Sequence, residues 1–260
     1  MSGRARMRLA AVALAGAIGA GCATGGFVRP SGTPTPFPDG PLVWDGLTRA
    51  CGDVSAYQAQ LRVSGRVNGQ RVPGLDAGLA LDAGRLAMMA RAGARNVFHI
   101  AGRAEGLTLL LQLDGRVVRG PAVDVIDALV GVRVEPAQLL AALTGCLMAD
   151  ADVTATERVG RLARITTADG IVYLRPRGSD WHLAASEFDG IIVDYRRVVE
   201  GWPRDLVIRQ GSEVALRFEV IEFVRNPPLQ PGLFEVSVPA SYIEVPAASL
   251  RDDGAFATPD

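Results

Sequence analysis

Lysine is absent from this chain of 260 residues, and all 27 of its strongly basic side chains are arginines. The chain is also rich in Ala, Gly and Val, so this pattern indicates a compositional bias rather than a set of sites for phosphate or carboxylate groups. The formal net charge is −1. Because phosphate binding needs a basic surface, nothing in the composition favours a nucleic-acid partner.

Residues that commonly carry chemistry are scarce. The chain has two histidines, His99 and His182, and no cluster with metal-ligand spacing surrounds either one. A nucleophile elbow, a phosphate-binding glycine loop and a dinucleotide fingerprint are absent. Asp124 and Asp127 lie three residues apart, but at the start of a short helix the helix dipole explains them better than acid–base catalysis. The sequence therefore predicts no enzyme, with no catalytic residue, metal or cofactor.

The apolar run of residues 9–20 is too short to cross a membrane, since a span needs about 20 residues. It follows three arginines, so we predict that residues 1–21 are a signal peptide. The run ends at Cys22, which resembles the acylated cysteine of a bacterial lipoprotein signal. Gly19 stands where such signals usually carry Leu, so ordinary cleavage after Ala17 is the alternative.

Residue Ala23, rather than Asp, follows the cysteine, and by the same resemblance this favours the outer membrane. We expect a lipid anchor at Cys22 on the periplasmic face of the bacterial outer membrane. Residues 22–43 are rich in Gly and Pro and are predicted to be a semi-extended tether. Residues 44–249 are expected to form one domain that begins with a helix, and residues 250–260 are polar, unpatterned and predicted to be disordered.

The stretch from Gly106 to Cys146 changes its apolar period from two to about 3.6. Its first part predicts a strand, in which four leucines share one face. These are Leu107, Leu109, Leu111 and Leu113. After Asp114-Gly115, helical spacing predicts one helix near residues 125–129 and a second from Pro136 to Thr144.

Short alternating segments flank that stretch, separated by turn signals such as Asn68-Gly69 and Pro73-Gly74. Consecutive short strands joined by tight turns predict antiparallel pairing. In the clearest strand, apolar residues occupy every second position up to Val220. From Ile221 on they occupy the alternate positions, which predicts a bulge or strand end near Val220. The chain is therefore predicted to be mainly β (α+β), with helices on one side of a sheet.

Several short motifs follow one another between Tyr57 and Phe223. They are Ser64-Gly65-Arg66, Asp114-Gly115, Asp124–Leu129 with Gly131, Val134-Glu135-Pro136 through Gly145, Val193-Asp194-Tyr195 and Trp202-Pro203-Arg204-Asp205-Leu206. Their order resembles the LolA/LolB fold, and the motifs most resemble the LolB family of outer-membrane lipoprotein receptors. The resemblance implies an incomplete antiparallel β-barrel, a half-barrel, whose concave apolar side is covered by helices.

The function implied by this resemblance is binding without catalysis. An acyl chain moves into an apolar cavity, and each buried methylene contributes about 0.8 kcal/mol to binding. The candidate cavity residues are inward-facing apolar side chains of the strands and of the second helix. They are Leu86, Met88, Leu107, Leu109, Leu111, Leu139, Leu143 and Phe218. Ordinary core packing is the competing interpretation for each of them.

In the LolB family, a loop between early strands carries a bulky apolar residue used at the membrane. The corresponding stretch here, Arg91-Ala92-Gly93-Ala94-Arg95, has none. Arg91 and Arg95 are expected to meet anionic headgroups instead, which attract surface cations at about 1 kcal/mol each.

Cys51 and Cys146 remain once Cys22 is set aside. In an oxidising periplasm they form either a disulfide or two buried thiols, and the sequence leaves both open. A bridge would pin the first helix to the helix expected to cover the cavity.

The combined expectation is an outer-membrane-anchored, monomeric lipoprotein of LolB type that binds acyl chains or lipoprotein cargo and receives it from a periplasmic LolA-like carrier. The alternative is a structural or regulatory envelope lipoprotein that binds a protein partner with the same fold.

Overall fold

The computed structural model describes residues 26–253, which form one wide sheet and four α-helices. The strands are β1 (Thr35–Pro36), β2 (Ala56–Val67), β3 (Gln70–Asp82), β4 (Arg85–Ala92), β5 (Arg95–Arg103), β6 (Gly106–Leu111), β7 (Arg116–Gly120), β8 (Val153–Val159), β9 (Leu162–Thr167), β10 (Ile171–Arg177), β11 (Asp180–Phe188), β12 (Ile191–Val199), β13 (Trp202–Gln210), β14 (Val214–Arg225) and β15 (Ile243–Glu244). The helices are α1 (Gly40–Thr48), α2 (Ala122–Val130), α3 (Pro136–Thr144) and α4 (Ala247–Asp253), and a 3-10 helix spans Pro231–Phe234.

The sheet is open, because its two outermost strands do not pair with each other. The spatial order is β1-β8-β9-β10-β11-β12-β13-β14-β2-β3-β4-β5-β6-β7-β15. All neighbours are antiparallel except β15, which runs parallel to β7. This architecture confirms the predicted mainly β, incomplete antiparallel half-barrel.

The helices cover the concave face, where the main hydrophobic core lies. Helix α1 packs on β8 and β9, α2 on β6 and β7, and α3 on β3, β4 and β13, while α4 packs on α2 and β7. Because one face of the sheet is apolar, these helices remove it from water. The core therefore lies between the sheet and a discontinuous helical layer.

Helix α3 has the bounds that the sequence predicts. Glu135 precedes it, and the backbone N–H of Glu135 donates to Oε1 of Gln138 at 2.9 Å, which completes a capping box. Gly145 ends the helix in a left-handed conformation with φ 79°. Local capping signals at both ends thus fix this helix.

The predicted bulge near Val220 is confirmed, since the pairing of β14 with β2 shifts register between Val220 and Glu222. The predicted turn at Pro73-Gly74 is wrong. These two residues lie inside β3, opposite a register shift in β2 between Val63 and Gly65. Pro73 and Gly74 together oppose one residue of β2, so a bulge absorbs one extra residue and the chain does not reverse there.

Besides the two-residue strands β1 and β15, two longer strands are not predicted from the sequence, β7 and β8. Strand β7 has five residues with adjacent buried valines, Val117 and Val118, so alternation cannot reveal it. Strand β8 lies near one end of the sheet order and carries mainly polar side chains. Tertiary pairing, rather than local pattern, defines both.

Parts of the segment expected to be a tether lie against the sheet, although most of residues 28–36 are exposed. Thr35 and Pro36 pair with β8, and Phe37 is only 1% exposed in a cluster with Trp44 of α1. Ahead of them, Phe27 packs on Tyr173 with the two rings tilted and their centroids 4.8 Å apart. Aromatic residues scattered in a Gly/Pro-rich segment give no periodicity, yet each one docks.

The end of the described chain also differs from expectation. Residues 250–260 were expected to be disordered, but Leu250 lies in α4, is 1% exposed and belongs to the main core. On the convex face, Phe234 of the 3-10 helix packs on Ala80, Ala87 and Ala101. Segments at both ends of the domain therefore cover parts of the sheet.

Gly65 shows why the Ser64-Gly65-Arg66 motif needs glycine. Its φ is 147°, and a Cβ built there would collide with the backbone carbonyl oxygen of Ala215 on β14. Both the conformation and the close approach of the neighbouring strand exclude a side chain.

We expect Gly65→Ala to lower the free energy of unfolding by about 2 kcal/mol or more, because the substitution adds strain and a backbone clash. Gly106→Ala is the matched control, since a Cβ there meets nothing within 4 Å. Urea unfolding of both variants measures the difference. Equal stabilities would contradict this account of the motif.

Candidate functional site

An apolar cavity lies between the concave face of the sheet and the helices α2 and α3. Every side chain that lines it is a hydrocarbon or thioether group. They are Val63, Val72, Leu75, Leu86, Met88, Phe98, Ile100, Ile126, Leu129, Val130, Val132, Val134, Leu139, Ile208, Leu216 and Phe218. A site without hydrogen-bonding side chains suits an apolar ligand, because a buried polar group would lose its hydrogen bonds to water.

The cavity has a mouth formed by partly exposed side chains. Met88 of β4, Val130 at the end of α2 and Leu139 of α3 are partly exposed, while the other lining residues are buried. The free space inside is about 70 Å³. This volume accommodates a few water-sized spheres, so the helices must shift to admit a long chain.

The structure divides the predicted cavity residues into two groups. Leu86, Met88, Leu139 and Phe218 line the cavity. The other four are buried in the same core but do not line it. They are Leu107, Leu109, Leu111 and Leu143. Because α2 packs directly on β6, the β6 leucines belong to the part of the core beneath that helix.

The end of α2 and the connection between α2 and α3 supply lining residues that were not predicted. Val130 ends α2, and Val132 and Val134 of the connection also line the cavity. The alternation of Val132 and Val134 with Arg133 was the available signal, since every second residue of an extended segment shares one face.

Charged residues fix that connection from outside. The Arg133 guanidinium donates to Asp124 and Asp127, each at 3.1 Å. These hydrogen bonds, first the one to Asp124, raise the pKa of Arg133. The two carboxylates thus join α2 to the α2–α3 connection.

A disulfide joins Cys51, in the turn after α1, to Cys146, directly after α3, with a Cα–Cα distance of 5.5 Å. This agrees with the disulfide alternative left open by the sequence. The bridge ties the C-terminal end of α3 to the segment after α1, whereas the mouth residue Leu139 lies in the first half of α3.

The remaining predicted site residues lie elsewhere. Arg91 and Arg95 are exposed at the hairpin between β4 and β5, and Cys22 lies outside the described residues. His99 is half-buried on β5, where desolvation lowers its pKa. Within residues 26–253, no three His, Cys, Asp or Glu side chains gather as a metal site.

Among the described helices, none is long and apolar enough to cross a membrane. No protein-family model and no curated protein sequence matches the chain.

Solved structures with similar folds include a LolA superfamily protein, NE2245, from Nitrosomonas europaea, at 10% identity and a TM-score of 0.47 over 75% of this chain and 98% of that one. An outer membrane lipoprotein-sorting protein domain from Vibrio parahaemolyticus shares 8% identity with a TM-score of 0.46, over 75% of this chain and 97% of the other. A DUF1329 family protein from Desulfovibrio piger shares 9% identity with a TM-score of 0.45, covering 76% and 98% of the two chains.

Reduction of the Cys51–Cys146 bridge, or Cys51→Ser with Cys146→Ser, is expected to lower the free energy of unfolding by about 2–5 kcal/mol, because the bridge closes a long loop. Non-reducing peptide mapping checks the connectivity, and urea unfolding gives the stability. Free thiols at both positions of the protein purified without reductant would show that the bridge does not form.

The structure separates Leu109 from Leu113, although alternation alone places them on one face. Leu109 is 0% exposed and Leu113 is 51% exposed, beyond the end of β6. We expect Leu109→Ala to cost about 2–5 kcal/mol and Leu113→Ala less than about 0.5 kcal/mol. Thermal and urea unfolding compare the pair, and similar losses would contradict the placement of Leu113.

Proposed function

We propose that this protein is a lipid-anchored envelope protein of LolB type that takes an acyl chain of a lipid or lipoprotein into the cavity beneath α2 and α3. The observation that carries the proposal is the wholly apolar lining, with a mouth at Met88, Val130 and Leu139. Once the helices have shifted to admit the chain, burial of eight methylenes there would yield about 6 kcal/mol. Binding of this kind needs no catalytic group.

Entry of a chain requires the helical layer to open. Helices α2 and α3 have nine residues each, and helices this short are stable only while packed. The disulfide holds the C-terminal end of α3, so the mobile part is the end of α2, the connection through Val132 and Val134, and the start of α3. The bridge thus limits how far the cover moves.

The location proposed for this activity is the periplasmic face of the outer membrane, with Cys22 acylated after removal of residues 1–21. The protein would act as a monomer and accept its cargo from a LolA-like carrier.

Native mass spectrometry of the exported full chain tests the proposal, because a retained lipid or fatty acid adds a discrete mass. Removal of that mass by organic extraction identifies it as a lipid. A chain that carries no lipid and does not bind a fluorescent C16 fatty acid would instead favour the other function, a structural lipoprotein that binds a protein partner.

We expect Leu139→Arg to weaken binding of a fluorescent C16 fatty acid at least about tenfold, since a charge at the mouth must be desolvated when the chain enters. Ala137→Arg is the control, because it places the same charge on the exposed side of the same helix. Fluorescence titration gives both affinities. Equal binding by two folded variants would exclude this mouth as the entry route.

A further inference from the structure

The sheet splits between β11 and β12. The two strands pair only where Ala185–Phe188 meets Ile191–Asp194. Farther along, β11 stays with β10, whereas β12 stays with β13 and shifts register twice between Tyr195 and Val198. The irregular backbone turns β12 away from β11, and a cleft of about 240 Å³ opens between them.

Four arginines line this cleft, which we call the arginine cleft. Arg175 and Arg177 extend from β10, Arg196 and Arg197 extend from β12, and His182 lies on β11 between them. The remaining lining residues are Leu183, Tyr195 and Val198. No carboxylate is among the described residues that line it, so the cleft concentrates positive charge on a chain whose net charge is −1.

Two of these arginines are held in place. Arg175 donates from Nη2 to the backbone carbonyl of Tyr195 at 3.2 Å. The Nε of Arg196 is buried without a hydrogen bond and lies 3.5 Å from Oδ2 of Asp194. Asp194 also accepts from Arg209 at 3.1 Å and from the backbone N–H of Phe27 at 2.9 Å. The Asp194 carboxylate is therefore shared between Arg196, Arg209 and the backbone of Phe27.

The other two arginines are exposed and uncompensated. Within the described part of the chain, Arg177 and Arg197 have no carboxylate at ion-pair distance. Asp180 lies opposite Arg177 in the β10–β11 ladder without binding it, and Asp205, opposite Arg197, binds Arg217 instead. Like charges that share a cleft repel one another, and a bound anion would relieve this repulsion. Guanidinium groups match phosphate oxygens in paired, charge-assisted hydrogen bonds.

The N-terminal segment brings the arginine cleft close to the expected anchor. Arg175 and Arg196 also line a neighbouring cleft with Gly26 and Phe27. Four peptide units join Gly26 to Cys22, and a chain of that length spans at most about 14 Å. An acyl group on Cys22 would therefore hold this side of the protein at headgroup depth.

We propose that the arginine cleft binds the phosphate of a phospholipid headgroup in the membrane to which the protein is anchored. This site is separate from the apolar cavity, and the inference holds whether or not the cavity takes up acyl chains. Headgroup binding would fix the orientation of the domain on the bilayer, with the β10–β12 part of the sheet toward the lipid. Inorganic phosphate offers the same oxygens, so the test includes it.

The test is calorimetric titration of the full chain with glycerophosphoglycerol, a headgroup without acyl chains, and separately with inorganic phosphate. We expect saturable binding of the headgroup and weaker binding of inorganic phosphate. The double variant Arg177→Gln with Arg197→Gln is expected to lose at least about tenfold in headgroup affinity, because it removes charge-assisted hydrogen bonds.

The matched control is Arg71→Gln with Arg103→Gln, which removes two exposed arginines outside the cleft and is expected to keep affinity within about twofold. Leu139→Arg should bind the headgroup as the parent chain does, which distinguishes this site from the cavity. Preference for inorganic phosphate, equal loss in both double variants, or no binding of either probe would overturn the proposal.

Discussion

Burial of the concave apolar face is the constraint on which the rest of this structure depends. A wide open sheet with one apolar face is stable only if other elements exclude water from that face. Here the cover consists of short helices instead of a second sheet. Helices of nine residues owe their stability to packing, so the cover and the sheet stabilise each other, and the disulfide limits their separation.

The same constraint explains the cavity. Helix α2 lies over β6 and β7, and α3 lies over β3, β4 and β13. Two helices that cross different strands cannot fill the space between them completely, and the extended Val132 and Val134 close it only in part. Unfilled apolar space costs packing energy, and an acyl chain that entered would restore the missing contacts. This incompletely filled space is the site that we propose for the acyl chain.

The sequence predicts what depends on local signals. Pro136 in the first turn and Gly145 at the end predict α3, and alternation that flips at Val220 locates a bulge. Alternation also identifies the buried face of β6, but it does not reveal which helix lies above that face. The pattern therefore predicts Leu107, Leu109 and Leu111 in the cavity, whereas in the structure they pack beneath α2.

Long-range pairing explains the other differences. Phe27 and Phe37 dock on strands more than a hundred residues away, which no local pattern in a Gly/Pro-rich segment can indicate. The arginine content of the sequence by itself indicates only a compositional bias. In the structure, the divergence of β11 from β12 brings four arginines together, Arg175, Arg177, Arg196 and Arg197. Convergence of this kind depends on sheet topology and not on spacing along the chain.

The most direct measurement of the central claim is photo-crosslinking of the purified full chain with a diazirine-bearing palmitic acid, followed by peptide mapping. The account predicts that the label is inserted at the mouth and lining of the cavity, at Met88, Val130, Leu139 and Phe218, and that unlabelled palmitate competes for it. Labelling confined to the convex face, or labelling that competitor does not reduce, would contradict the claim that the space beneath α2 and α3 is the ligand site.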